Sequence, residues 1–383
     1  MDSVLPIVII GTGLAGYSLV REFRKLNRDA PVLMLTRDDG HSYSKPMLST
    51  GFTKGKSADA ISLADPGKMA AQLNVSIRNF TEVSRIDPDT KSLYIGTEVL
   101  AYKQLVLANG ASVKTLNFKG SDHPNILSIN DLMDYRRFRE KLLGKQRVLV
   151  MGAGLIGCEY ANDLLHGEFQ ITVVDPAHTA LNGLIPDFAG KAVVQGLERK
   201  GVQFMMKCFV KEVIAHESHL VAILNNGKQV EADLIISAVG LKPELALAKS
   251  AGLKCNIGVV TNRFLETSHA EVYALGDCAE IDGHVLLYVL PLMASARALA
   301  KTLNGEHTPV SFSAMPVVTK TPACPVVVCP PLEQNGEWFV EQDDINIKAS
   351  YVNHRGEILG FVLTGECVSD KQSLIKDVKG IHH

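Results

Sequence analysis

Two short glycine-rich segments, residues 11–16 and 152–157, have the spacing of a dinucleotide-binding turn. In such a turn the first glycine permits a tight bend, the second lets backbone N–H groups approach a pyrophosphate, and the third lets the next helix pack closely on the strand. The helix N-terminus then offers N–H donors to the phosphates. The residues assigned to this role are Gly11, Thr12, Gly13, Leu14, Ala15 and Gly16 in the first turn, and Gly152, Gly154, Leu155, Ile156 and Gly157 in the second.

A carboxylate after the second strand of such a unit distinguishes between nucleotides. Asp175 directly follows the apolar run 171–174, where it can accept hydrogen bonds from the adenosine ribose and would repel a 2′-phosphate. The next three residues include no arginine, so this unit is predicted to prefer NADH to NADPH. The alternative interpretation is that Asp175 is only a solvated carboxylate in a turn.

The first unit has no carboxylate at the corresponding point. Its second apolar run ends at Leu35 and continues with Thr36, Arg37, Asp38 and Asp39. Asp38 or Asp39 could reach the ribose, and Arg37 could lie along the adenine or a phosphate.

A third acidic signal follows a short apolar run near residue 275. Asp277, after Gly276, can accept a hydrogen bond from a sugar-like hydroxyl group. By itself, a Gly-Asp pair is usually only a turn.

Both glycine turns lie between a predicted strand and a predicted helix. Apolar runs at 6–10 and 147–151 lead into the turns, helical patterns follow, and second apolar runs lie at 32–35 and 171–174. This context supports the motif, and the repetition predicts two Rossmann-like domains in an α/β fold.

Two further apolar runs, 105–111 and 234–240, end at small residues and read as buried strands. The first would lead the chain out of the opening domain, and the second would return it. After residue 312 the glycine turns stop, and alternating strand-like stretches precede a helix predicted at 370–378. The predicted domains are 1–112 with 241–311, an inserted domain at 113–240, and a small C-terminal α+β domain at 312–383.

Composition excludes several classes of protein. The chain has 383 residues, 46% of them hydrophobic and 21% charged, with a formal net charge of −2. This is ordinary globular usage, with no broad basic field for nucleic acid or an anionic membrane. The most apolar stretch, 285–296, is too short to cross a bilayer, and the first residues do not have the pattern of a signal peptide. Seven scattered cysteines do not form a disulfide framework, so we expect a cytoplasmic protein with no membrane span.

Taken in order, several motifs resemble the FAD/NAD-linked pyridine nucleotide-disulfide oxidoreductase superfamily. They are the two glycine turns, residues 108–110 and 238–240, and Tyr273-Ala-Leu-Gly-Asp277. Residues 43–49 narrow the resemblance to reductases of small electron-transfer proteins, and residues 152–159 and 318–322 are most similar to the rubredoxin reductases. The resemblance implies a glutathione-reductase-like three-layer ββα fold, FAD on the first turn, NAD on the second as NADH, and rubredoxin as electron acceptor.

The resemblance also assigns roles to single residues. Val83, in a strand predicted at 81–86, would contact adenine through its backbone, and Val289, at a helix start, would place an N–H group by the flavin pyrimidine. Lys45, held by Glu159, would lie beside flavin N5; the alternative for this pair is a surface ion pair. Besides the first turn, the residues implied for FAD are Arg37, Asp38, Lys45, Pro46, Val83, Ala108, Gly110, Glu159, Asp277, Val289 and Lys320. Besides the second turn, those implied for NAD are Asp175 and Gly240.

No redox dithiol or metal site is predicted. The chain has no CxxC motif, and Cys324 and Cys329 fall in the proline-rich start of the tail, where we expect buried strand cysteines. Without a dithiol, the electrons of a hydride delivered to flavin N5 would leave as single electrons to a one-electron centre, such as the iron of rubredoxin, or they would pass to oxygen. Alternatives are a ferredoxin or flavorubredoxin reductase, or an NADH-sensing flavoprotein of apoptosis-inducing-factor type.

Overall fold

The structure is a computed structural model that describes residues 4–381. Its strands are β1 Ile7–Ile10, β2 Val32–Leu35, β3 Ser42–Tyr43, β4 Ser62–Ala64, β5 Ser76–Arg78, β6 Arg85–Asp87, β7 Ser92–Ile95, β8 Glu98–Ala101, β9 Gln104–Leu107, β10 Ala111–Val113, β11 Ile126–Leu127, β12 Arg147–Met151, β13 Gln170–Asp175, β14 Gln203–Met206, β15 Val210–Ala215, β16 Leu220–Leu224, β17 Gln229–Ala232, β18 Leu234–Ser237, β19 Leu241–Pro243, β20 Val259–Thr261, β21 Val272–Ala274, β22 Ala279–Ile281, β23 Val317–Thr319, β24 Val326–Cys329, β25 Gly336–Asp343, β26 Asn346–Asn353 and β27 Ile358–Thr364. Its α-helices are α1 Leu14–Leu26, α2 Ala58–Ile61, α3 Pro66–Leu73, α4 Leu132–Leu142, α5 Leu155–Leu164, α6 Asp187–Glu198, α7 Ala246–Ser250, α8 Val289–Leu303 and α9 Lys371–Leu374, with 3-10 helices at Lys45–Met47, Gly276–Cys278 and Gly365–Asp370.

The chain divides into two compact units. The first unit comprises Met1–Lys45, Ser62–Ser112 and Leu241–Phe312, and the second comprises Pro46–Ile61, Val113–Gly240 and Ser313–His383. The division predicted from the sequence also has boundaries after residues 112 and 240. Residues 46–61 and the C-terminal segment, however, are grouped with residues 113–240. The division into three domains remains a prediction.

A five-stranded parallel sheet forms the centre of the first unit. Its order is β21-β9-β1-β2-β5. All four residues of β1 are buried, as expected for a central strand covered on both faces. α1 packs against α8, and β6, β7 and β8 form an antiparallel meander. Because parallel strands end at the same edge, the glycine turn after β1 and the loops after β2, β9 and β21 meet at one edge of the sheet.

The second unit repeats this plan. Its parallel sheet has the order β11-β18-β12-β13-β14, and the second glycine turn joins β12 to α5. An antiparallel sheet, β15-β16-β17, packs against it through a shared apolar core that includes Leu149, Val174, Val213, Leu220 and Ile235. Two sheet layers and a helix layer therefore make up the expected ββα arrangement.

The C-terminal part of the second unit is an antiparallel sheet of order β23-β24-β27-β26-β25. This sheet contacts α6 and Arg199, the residue after that helix. A side chain on Gly196 would meet Cys324, and Arg199 donates hydrogen bonds to Asp344 at 2.5 and 2.6 Å. These contacts explain why the C-terminal sheet belongs to the same compact unit as α6.

Two predicted elements differ from those observed. The strand predicted at 81–86 is wrong at its start, because β6 begins at Arg85 and the Thr81 N–H donates to Thr36. The helix predicted at 370–378 is shorter, since regular α-helix covers only Lys371–Leu374. Within residues 4–381, none of the helices combines the length and the apolar character needed to cross a membrane.

Candidate dinucleotide sites

The first glycine turn has the geometry that a bound pyrophosphate requires. Gly11 has a φ of +115°, and a Cβ there would lie closer than 3.0 Å to the Ala108 carbonyl. A Cβ on Gly16 would collide in the same way with the Gly11 carbonyl, whereas one on Gly13 meets no described atom within 4 Å. Gly11 and Gly16 are therefore required by packing, and Gly13 leaves open space. No side chain caps α1 at Gly13, so its first N–H groups can bind a phosphate.

The second glycine turn reproduces each of these features. Gly152 has a φ of +105°, and a Cβ there would collide with the Ala238 carbonyl. A Cβ on Gly157 would collide with the Gly152 carbonyl, and one on Gly154 meets no described atom within 4 Å. α5 likewise begins without a side-chain cap. Both turns thus fit a dinucleotide phosphate on the evidence of backbone geometry alone.

Asp38, rather than Asp39, lies beside the first turn. Its Oδ1 accepts hydrogen bonds from the Thr36 hydroxyl at 2.6 Å, the Gly40 N–H at 3.0 Å and the Thr12 hydroxyl at 3.4 Å. Within the described chain, its Oδ2 has no hydrogen-bond partner, so it can accept from a ribose. The Asp39 carboxylate accepts from the His41 N–H, and Arg37 is exposed. The geometry favours Asp38 as the ribose ligand.

The two ends of the predicted FAD site also offer unused backbone donors. Val83 is only 8% exposed, and within residues 4–381 neither its N–H nor its carbonyl makes a hydrogen bond. Val289 is the first residue of α8, which no side chain caps. Tyr288, Val289 and Leu290 are 37%, 39% and 51% exposed, an apolar surface at a helix N-terminus that a flavin ring could cover.

Asp277 lies in the 3-10 helix after β21, where its side chain is largely buried. Burial raises the pKa of Asp277 above its usual value, and the Lys45 ammonium, 3.9 Å away, partly opposes this shift. At this distance the two groups interact as charges without a hydrogen bond. Lys45 is thus placed beside Asp277, which the family resemblance assigns to the FAD site.

Asp175 ends β13 and is joined directly to the second turn. Its carboxylate accepts hydrogen bonds from the Ala153 N–H at 2.6 Å and the Ala177 N–H at 2.7 Å. Each carboxylate oxygen keeps a lone pair with which it can accept from a ribose hydroxyl. The role of Asp175 at the adenosine ribose remains a prediction.

Glu159 is fully buried on α5, and its partners are Ser49 and Lys320. It accepts hydrogen bonds from the Ser49 hydroxyl at 2.5 Å, the Lys320 N–H at 2.9 Å and the Lys320 ammonium at 2.7 Å. The Lys320 ammonium also donates to the Pro46 carbonyl at 2.6 Å and to Ser49 at 2.7 Å. Lys320 therefore neutralises the negative charge of Glu159. Lys45 lies in the other unit, and its pairing with Glu159 stays a prediction.

Three further predicted site residues follow the ends of strands, Ala108 and Gly110 after β9 and Gly240 after β18. Ala108 backs the first turn through its carbonyl, and Gly110 and Gly240 adopt φ values of +71° and +103°. Asp163, which holds the segment after Lys45, was not among the predicted site residues, and Ser49 appeared only at the end of the motif 43–49, with no role of its own. The one available signal was the spacing of Glu159 and Asp163, four residues apart on a helix.

Cys158, Cys324 and Cys329 are unsuited to a redox relay. Cys324 lies two residues before β24 and Cys329 ends it, and both are buried. Burial raises the pKa of each of these thiols to about 11, so both are protonated at neutral pH. Cys158 is buried in α5, where its thiol donates to the Ala153 carbonyl. Reactive cysteines are instead partly exposed and have a lowered pKa.

Comparisons with known proteins agree with this geometry. Residues 5–301 match the family described as pyridine nucleotide-disulphide oxidoreductase, and residues 309–378 match the rubredoxin binding C-terminal domain. The chain is 50% identical over 378 residues to a rubredoxin-NAD(+) reductase of Alcanivorax borkumensis, covering 98% of this chain and 99% of that protein. It is 37% identical over 375 residues to a nitric oxide reductase FlRd-NAD(+) reductase of Aliivibrio fischeri, covering 98% of each.

The fold itself is shared with the covalent putidaredoxin reductase–putidaredoxin complex, for which the TM-score is 0.88 at 23% identity over 98% of this chain and 94% of the other. The chain therefore belongs to the pyridine nucleotide-disulphide oxidoreductase family, whose members use FAD and a nicotinamide nucleotide.

Proposed function

We propose that this protein is an NADH-dependent flavoprotein reductase that passes electrons through FAD to rubredoxin. The observation that carries the proposal is the pair of glycine turns, each with an uncovered middle glycine and an uncapped helix. One chain can thus bind two adenine dinucleotides. The match of residues 309–378 to a rubredoxin binding domain supports the choice of acceptor.

NADH is preferred to NADPH because of Asp175. Its carboxylate is held by the N–H groups of Ala153 and Ala177, at the point where the adenosine ribose would lie. A 2′-phosphate there would place a second negative charge beside it. His178, three residues further along the chain, lies 3.6 Å from the Asp187 carboxylate.

Bound FAD would accept a hydride from NADH at N5 and release the two electrons one at a time. The chain's own residues would hold and tune it. The N-terminus of α8 at Val289 would favour negative charge on the nearby ring. Lys45 would add a positive charge at a position set by Asp277 and by the turn Lys45–Met47. Because the chain has no CxxC motif and both Cys324 and Cys329 are buried, we infer that the electrons leave to an external acceptor.

Rubredoxin is favoured over flavorubredoxin by the degree of similarity. Identity is 50% to the rubredoxin-NAD(+) reductase and 37% to the FlRd-NAD(+) reductase.

We include in the proposal the cytoplasmic location expected from the sequence. The seven cysteines, which form no disulfide in the described chain, fit a reducing compartment.

The test is an anaerobic half-reaction experiment. One equivalent of NADH should bleach the flavin absorbance of the holoprotein, and oxidised rubredoxin should restore it within seconds. NADPH is the matched control and should bleach it far more slowly. Faster reoxidation by ferredoxin or flavorubredoxin would reassign the acceptor, whereas slow reoxidation by every protein would favour an NADH sensor. A colourless protein that does not take up added FAD would overturn the proposal.

A further inference from the structure

Residues 46–61 are an interruption in the first unit. The chain leaves that unit after Lys45, is grouped with the second unit until Ile61, and returns at Ser62. Only α2 and the end of a 3-10 helix are regular within this segment, and its other local backbone hydrogen bonds are turns, such as that from the Lys56 N–H to the Gly51 carbonyl. The contacts that hold it come from elsewhere in the second unit.

Two buried carboxylates of α5 hold the middle of the segment. Glu159 and Asp163 are 0% and 3% exposed and lie one helical turn apart, on the same face. Asp163 accepts the Thr53 N–H at 2.8 Å and the Phe52 N–H at 3.0 Å. Glu159 accepts the Ser49 hydroxyl. A buried carboxylate that loses its hydrogen-bond donors costs more free energy than an ordinary lost hydrogen bond. Glu159 and Asp163 therefore both oppose separation of the segment from α5.

The ends of the segment are fastened as well. The Pro46 carbonyl accepts from the Lys320 ammonium, which is itself bonded to Glu159. The Lys56 carbonyl accepts from the Tyr135 hydroxyl at 2.9 Å. The segment is therefore tied along its length to α5 and its neighbours.

α5 is also the helix that begins at the second glycine turn, which is assigned to NADH. A phosphate bound at its N-terminus would lie about two turns from Asp163 along one rigid helix. The residue before the segment is Lys45, which opens the 3-10 turn Lys45–Met47. A shift of α5 would therefore be transmitted through the segment to this turn.

On the basis of the function proposed above, we propose that Asp163 is a positioning residue. By holding the backbone of Phe52 and Thr53 to α5, it couples binding of the nicotinamide nucleotide to the placement of Lys45. Asp163 itself would touch neither cofactor.

Amide hydrogen exchange of the oxidised holoprotein, with and without NAD+, tests this coupling. In the wild type, NAD+ should slow exchange at the start of α5 and, by at least about threefold, in peptides covering residues 46–61. In Asp163→Asn, NAD+ should still protect α5 but no longer the segment. Asp233→Asn is the matched control, because Asp233 also accepts two backbone N–H groups, those of Gln146 and Arg147, away from the segment.

Rapid kinetics give a second measurement. Asp163→Asn should lower the limiting rate constant of flavin reduction by NADH about tenfold, because a misplacement of 1 Å can cost about a hundredfold. The Kd for NADH should stay within about twofold, and Asp233→Asn should change neither value. A structural role alone would lower the thermal midpoint of both variants and leave this rate unchanged.

The wild-type exchange experiment decides the matter even if the variant folds poorly. Protection of α5 by NAD+ with no change in residues 46–61 would overturn the coupling and leave the proposed function intact. Protection of neither α5 nor residues 46–61 by NAD+ would overturn both the coupling and the proposed function.

Discussion

Gly154→Ala and Gly157→Ala add the same methyl group three residues apart, and we expect opposite effects. A Cβ on Gly154 meets no described atom within 4 Å, and the φ there is −72°, which alanine adopts freely. A Cβ on Gly157 would lie closer than 3.0 Å to the Gly152 carbonyl, and a backbone atom cannot rotate away. The first change should impair binding, and the second should impair folding.

The effect on stability follows from the packing. Gly157→Ala should destabilise the protein by about 3 kcal/mol or more, the upper range for overpacked sites. Gly154→Ala should change stability by less than about 1 kcal/mol, because the lower entropy of the unfolded chain offsets the loss of a favourable N-cap residue.

The effect on binding follows from the open space at Gly154. A methyl group there would hold the pyrophosphate away from the N–H groups of α5. A hydrogen bond to a charged group contributes about 1.5–3 kcal/mol, so losing one should weaken nucleotide binding about 10- to 100-fold. Gly13→Ala is the matched control in the first turn, and it should weaken FAD retention without changing the Kd for NAD+.

The assay is a titration of the oxidised holoprotein with NAD+, together with thermal midpoints of the three variants. Wild-type affinity for NAD+ in Gly154→Ala would refute the assignment of the second turn. Equal destabilisation by Gly154→Ala and Gly157→Ala would refute the separation of the two glycine roles.

Four further predictions concern single side chains. Asp38→Asn should weaken FAD binding about tenfold, measured by titrating apoprotein with FAD, and unchanged affinity would remove Asp38 from the site. Asp175→Ala should narrow the preference for NADH over NADPH about tenfold in stopped-flow reduction, and an unchanged ratio would contradict its proposed role. Lys45→Ala should slow flavin reduction by NADH about tenfold, and an unchanged rate would exclude Lys45 from the chemistry. Although burial alone would raise it, hydrogen bonds from Arg147 and from backbone N–H groups lower the pKa of Asp233 to about 2. Asp233 therefore contributes about 2 kcal/mol of stability above about pH 4, which is lost as the pH falls towards 2. Asp233→Asn should flatten this part of the plot of thermal midpoint against pH. An unchanged plot would contradict the stabilising role of ionised Asp233.

The glycine turns and their strands could be predicted from the sequence because their causes are local. Gly11 and Gly152 need positive φ values, and Gly16 and Gly157 need a bare Cα against a backbone carbonyl five residues earlier. Such requirements leave a fixed spacing in the sequence. The strands that lead into the turns are almost entirely buried, β1 at all four residues and β12 at four of five, and the apolar pattern indicates such runs directly.

The C-terminal helix shows where periodicity is insufficient. Leu374 and Val378 do face one apolar cluster, with Phe361 and Leu363 of β27, as a helical spacing of four predicts. Regular helix nevertheless ends at Leu374. The spacing thus identified the buried face correctly, whereas the backbone hydrogen bonds depend on packing that periodicity does not describe.

The partners of Glu159 could not be predicted, because they are distant in the sequence. Ser49 lies 110 residues away and Lys320 lies 161 residues away. Family resemblance indicated Lys45 as a partner, and that pairing remains a prediction. Only the fold brings Lys320 to the carboxylate.

Residues 46–61 show the same limit in a way that bears on function. The segment has no helical or alternating apolar pattern, and its backbone groups bond to side chains of α4, α5 and the C-terminal sheet. A sequence boundary drawn from strands and glycine turns therefore leaves it in the first unit. Its anchors place it with the nucleotide helix, so the peptide bond between Lys45 and Pro46 joins the lysine expected at the flavin to the fold expected to bind NADH. A change in α5 can reach Lys45 through that bond with no need for a longer path.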